Sequence, residues 1–100
     1  MTDAAGVTDN EAASRFEHEE EGHLAELTYR LRGDRLVLIH AGTPAQIEGR
    51  GIGSALMAAA IGRAQRDGLT VVPLCPFARY WLESHPEAAS RVNVDLGQAR

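Results

Sequence analysis

The chain has 100 residues, 44% of them hydrophobic, with a formal net charge of −4, which supports one small folded domain near the lower end of what folds without staples. Its positive charges are all arginines and are scattered, so the clustered basic face of a general nucleic-acid binder is excluded. The lone cysteine, Cys75, excludes an intrachain disulfide; no apolar run approaches the roughly 18 residues that span a bilayer, and Met1–Gly6 lacks the basic and apolar regions of a signal peptide, so the cytoplasm is the expected location.

Residues 1–13 are small and polar, without hydrophobic period, and are expected to form a disordered tail ahead of a single domain over residues 14–96. Phe16, His18 and Glu20 alternate with Arg15, Glu17 and Glu19 as in a strand. Glu21-Gly22 reads as a hairpin turn. In the next strand Ala25, Leu27, Tyr29 and Leu31 share one face, and Glu26, Thr28 and Arg30 the other. Gly33-Asp34 is a two-residue turn of the Gly-first type, leading into Arg35–Ala41, which is apolar on both faces like a central strand.

The period changes after Thr43-Pro44. Ile52, Leu56, Met57, Ala60, Ile61 and Ala64 form the apolar side of a helix, with Arg63, Gln65, Arg66 and Asp67 expected opposite and Gly68 as the C-terminal cap. Leu69–Leu74 reads as a short strand. Phe77–Ser84 reads as a second helix, stopped by His85-Pro86 because the residue before proline disfavours helical geometry. The order βββ-loop-αβα predicts an α+β fold with a mixed, mostly antiparallel sheet and helices packed on it.

Gly49-Arg50-Gly51-Ile52-Gly53-Ser54 opens the best helix in the chain. The first turn of a helix offers unpaired amides and the positive end of its dipole, and glycines let a ligand approach the backbone closely. Such a loop can cradle phosphate. A dinucleotide fingerprint fails because Leu56 stands where the third glycine belongs, and a P-loop fails because there is no lysine. A tight glycine turn without a ligand is the remaining alternative.

The run Gly49–Leu56 resembles the CoA loop of the GCN5-related N-acetyltransferases, Arg/Gln-x-x-Gly-x-Gly/Ala, although Glu48 replaces the leading Arg or Gln. The ordered blocks His40…Pro44, Glu48–Leu56, Val71–Phe77 and His85-Pro86-Glu87 are similar to a very short branch of that superfamily, over roughly residues 15–95. Ala41-Gly42-Thr43-Pro44 stands where this branch usually reads Thr-Glu-Val-Pro, so an acidic residue is missing there. The resemblance implies a minimal acetyltransferase-like fold and acetyl-CoA as co-substrate, with no metal. It implies that the amides of Gly49, Arg50, Gly51, Ile52, Gly53 and Ser54 bind the pyrophosphate, with Pro76 and Phe77 beside the cofactor.

Acetyl transfer needs a neutral amine and a proton for the departing thiolate. The resemblance offers Tyr80, expected to open the second helix, as that acid; packing of Tyr80 beside Trp81 is the plain alternative. Cys75 ends a strand where such folds part to admit the pantetheine arm. It is read as lining that pocket, with acyl capture and an inert buried thiol as the competing roles. His40 is expected as a hydrogen-bonded core residue more than as a base, and His85 as fixing a turn. His18 and His23 flank Glu19–Glu21 in a solvated acidic turn without the spacing of a metal site. Arg50 is expected to assist the phosphates, and Arg79 the 3′-phosphate.

The expected function is N-acetyl transfer from acetyl-CoA to an unidentified amine, a small molecule or a protein lysine. The alternative is an acyl-CoA-binding module with little or no transferase activity. Fifteen residues follow His85, too few for the two long closing strands of larger members, and the Gly33-Asp34 turn leaves no room for their early helices.

Overall fold

The computed structural model describes residues 6–96. Six strands lie in one sheet in chain order: β1 (Thr8–Asn10), β2 (Arg15–Glu20), β3 (His23–Arg32), β4 (Arg35–Gly42), β5 (Thr70–Pro73) and β6 (Asn93–Val94). The first four run antiparallel, and the β4–β5 and β5–β6 pairs are parallel. Parallel neighbours need a crossover. Helix α1 (Ile52–Asp67) supplies the first; α2 (Pro76–Ser84) and the short α3 (Pro86–Ala89) supply the second. The α+β class and mixed sheet are those the sequence predicts, with two short edge strands and α3 added. Among the described residues no helix is long and apolar enough to cross a membrane.

Both predicted hairpin turns form. Glu21 and Gly22 take φ of 55° and 79°, the pair of positive values a type I′ turn requires, and Gly33 takes 61°. All six predicted apolar positions of α1 are buried, Ile52 being the most exposed at 6%. They meet Phe16, Leu27, Leu36, Leu38 and Val71 from the sheet and Ala78, Trp81 and Leu82 from α2 in one continuous core. Each large side chain so withdrawn from water contributes about 1.5–3 kcal/mol. Gly68 ends α1 in the left-handed region at φ 68°, its amide donating to Ala64 O.

Four expectations are corrected. Residues 7–13 do not behave as a disordered tail: Val7 is buried, Thr8–Asn10 pair with Arg15–Glu17, and Ala13 N donates to Asn10 O. Residues 1–5 of that tail lie outside the described residues. Arg63 is buried, not on the exposed side of α1. It donates to Asp67 Oδ2 at 2.8 Å, to Tyr29 Oη at 3.2 Å and to Asp9, tying β1 to the helix. Leu31 is exposed, beside the Gly33 turn.

The fourth correction is His40. Thr28 pairs with His40 but Tyr29 pairs with Leu38, so Ile39 is an extra residue in β4. A bulge of one residue reverses the facing of everything beyond it. Without it His40 would point at the helices; with it, His40 shares the opposite face with Thr28 and is exposed.

Candidate functional site

The site stands at the end of the sheet where β4 and β5 part. Their last rung is Leu38–Pro73, after which Leu38 O accepts from both Leu74 N (3.0 Å) and Cys75 N (3.1 Å). From there β4 runs on to Gly42 and then into the one-turn 3₁₀ segment Ala45–Ile47, anchored by fully buried Ile47. The chain turns back through Gly49 (φ 78°) and Gly51 (φ 78°), and Gly51 caps the N-terminus of α1. Both dihedrals lie where side chains are strained, which accounts for the two glycines. A Cβ on either would meet nothing within 4 Å, so that side of the loop faces open space.

The first helical bond is Ala55 N to Gly51 O at 3.1 Å. The amides of Ile52, Gly53 and Ser54 therefore sit at the open end of the helix. They border a cleft of about 460 Å³ lined also by Thr43, Glu48 and Phe77. A second cleft, of about 420 Å³, lies between β1 and α1 beside Arg63 and Arg66; the Arg63 guanidinium is already satisfied there by Asp9, Tyr29 and Asp67.

The third glycine has a different cause. Gly53 has no positive φ, and a Cβ there would stand 2.9 Å from Phe77 Cζ. A side chain at position 53 would thus push the α2 ring aside, the two being in contact across the cleft. Nothing in the loop's own spacing signals this.

Arg50 does not point into the cleft. Its guanidinium is paired with Glu20 and with Glu21 (3.0 Å) of the β2–β3 turn, and donates to Gln46 O at 3.3 Å. Hydrogen bonds to Glu21 and then Glu20 raise its pKa further. Glu20 also meets His18 Nε2 at 2.9 Å, a bond that is the main cause of the raised His18 pKa, against opposition from desolvation. Exposed Glu48 stands at the mouth in the place of a basic or amide side chain. Backbone amides, not side-chain cations, are therefore what the cleft presents to an anion.

On the other side stands α2. Cys75 is its N-cap residue, its carbonyl accepting from Arg79 N at 3.0 Å, and Pro76 occupies the first helical position. The Cys75 side chain is only 5% exposed and belongs to the core. This corrects the expectation of an accessible, pocket-lining thiol: Cys75 is already in the helix cap, with its side chain packed into the core. Tyr80 lies mid-helix, one turn beyond Phe77 instead of opening α2, and is 68% exposed. Arg79 donates to Leu96 O.

Trp81 was not singled out by sequence as part of the site. It is buried at 6% exposure, yet its indole Nε1 donates to Ser54 Oγ at 2.9 Å, in the first turn of α1. His85 stacks on the indole at 4.0 Å and 10°, and its Nδ1 donates to Trp81 O at 2.8 Å. His85 fixes the turn as expected, and also clamps Trp81.

Residues 15–92 match a family model described as GCN5-related N-acetyl-transferase. The solution structure of a GCN5-like protein from Staphylococcus aureus is similar, with a TM-score of 0.70 and 26% sequence identity over 94% of this chain and 92% of that one. No curated protein matches.

Proposed function

The chain belongs to the GCN5-related N-acetyltransferase family, and from that membership we propose that it binds acetyl-CoA at the glycine loop and transfers the acetyl group to an amine. The observation that carries this reading is the open end of α1: glycine-capped, with Ile52, Gly53 and Ser54 lining a cleft beside Gly51, where an added Cβ would meet nothing within 4 Å. Pyrophosphate suits such a cradle. The pantetheine arm would follow Phe77 and Pro76 toward the gap beyond Leu38 and Pro73.

In the transfer the amine nitrogen forms the new bond to the acetyl carbon, the carbon–sulfur bond breaks, and the thiolate needs a proton. Tyr80, exposed and one turn from Phe77, is the proposed donor. The reacting ammonium loses its proton to solvent or to His40, whose exposed imidazole stands just beyond the β4 bulge. Buried Cys75 is assigned to the core. Acyl capture by its thiol requires that ligand binding uncover it, which iodoacetamide labelling with and without CoA would read.

A binding module without transferase activity is favoured by one feature: among the described residues α1, α2 and α3 all follow β4, leaving Glu26, Thr28 and His40 on a sheet face that no helix ahead of β4 covers. Release of CoA thiol from acetyl-CoA in an amine screen separates the two. Lower turnover in Tyr80→Phe, with CoA affinity nearly intact, is the expected result for the enzyme. Binding without release under any amine is the result for the module.

A further inference from the structure

Ser54 accepts the Trp81 indole proton, so its own hydroxyl proton is left to give. No helical carbonyl lies a full turn behind a first-turn serine, and among the described residues the Ser54 hydroxyl makes no other hydrogen bond. Ser54 is an exposed residue, in the same first turn of α1 as the open amides of Ile52 and Gly53. A hydroxyl that accepts one bond donates the next more strongly, and a fixed rotor loses less freedom on binding. The indole is itself immobile: its ring is buried in the core, and His85 stacks on it while bonding its carbonyl.

We propose that Trp81 is a positioning residue for the CoA loop: its indole N–H fixes the Ser54 hydroxyl so that Ser54 adds a directed donor to the amide cradle. The inference rests on the acetyl-CoA reading of the cleft. Trp81 does not touch the ligand; it acts through Ser54.

The test is a double-mutant cycle on CoA affinity by calorimetry, with Trp81→Phe, Ser54→Ala and the double variant. Phenylalanine keeps a ring over His85 but removes the donor. Each single change should weaken CoA binding about three- to ten-fold, the worth of one hydrogen bond. The double variant should be no worse than the weaker single. Losses that multiply would make Trp81 merely a core residue and overturn the proposal.

Trp81 is the only tryptophan, which gives a readout needing no change at position 81. Excited at the red edge of the indole band, clear of adenine absorption, native protein should change its emission on adding CoA. Ser54→Ala should bind CoA with its emission unchanged. Should Trp81→Phe fail to fold, constant emission in wild-type protein that binds CoA by calorimetry overturns the proposal alone. A wild-type chain that binds no CoA removes the functional reading and this inference together.

Discussion

Gly53 and Phe77 offer the sharpest test of how the cleft is built. An ideal Cβ at position 53 would stand 2.9 Å from Phe77 Cζ and 3.5 Å from Cε1 and Cε2. Ordinary carbon–carbon contact begins near 3.5 Å, so the ring must retreat by about 0.6 Å or more. Overpacking of this kind costs roughly 1–3 kcal/mol. Phe77 is 37% exposed and can tilt outward, which places the cost near about 1 kcal/mol. Alanine in a helix otherwise gains up to about 1 kcal/mol over glycine. Gly53→Ala should therefore be neutral to mildly destabilising with Phe77 present, and stabilising by about 0.5–1 kcal/mol in a Phe77→Ala background. Urea denaturation of the four proteins gives the coupling, expected at about 1 kcal/mol. The same effect of Gly53→Ala in both backgrounds would refute the contact and the reason given for this glycine.

Arg63→Met should destabilise by about 2–4 kcal/mol, because Asp9 and Asp67 lose a shared buried cation, and the midpoint of a thermal melt should fall by about 10–20 °C. Burial first, then the hydrogen bond to Asp9, pushes the Tyr29 hydroxyl from 10.0 up to about 12. Because the unfolded chain releases this proton first, stability should fall as pH rises from about 10 to 12, and Tyr29→Phe should flatten that limb in urea melts at each pH. Glu20→Gln and Glu21→Gln free Arg50 from the β2–β3 turn and lower the negative charge near the cleft; calorimetry should show tighter CoA binding, by about three-fold or more when combined.

Local pattern carried most of this fold. The period-2 run around Leu27 and the period-3.6 run from Ile52 to Ala64 each identify the face that is buried, and Glu21-Gly22 and Gly33-Asp34 identify the turns that join strands. What sequence left hidden depends on partners far along the chain. Thr8–Asn10 is too short to alternate, and becomes a strand because Arg63 and Tyr29 hold Asp9. His40 reverses its facing through a bulge that no residue type announces. At the site, Gly49 and Gly51 were legible because their backbone demands glycine. Gly53 and Ser54 take their roles from Phe77 and Trp81, two dozen residues away, and Arg50 is held by carboxylates some thirty positions earlier.

The central claim is that the glycine-capped start of α1 holds the pyrophosphate of CoA. Titration of CoA into wild-type protein, Gly51→Val and Gly62→Ala tests it most directly. Gly62 is exposed on the same helix, and a Cβ there meets nothing within 4 Å, so Gly62→Ala controls for a side chain added away from the cleft. Valine at 51 adds bulk where the loop faces open space and strains a backbone at φ 78° by about 1–2 kcal/mol. Circular dichroism should show all three folded. CoA should bind wild-type and Gly62→Ala alike and be nearly lost from Gly51→Val. Equal affinity in a folded Gly51→Val protein would contradict the claim and move the ligand away from this loop.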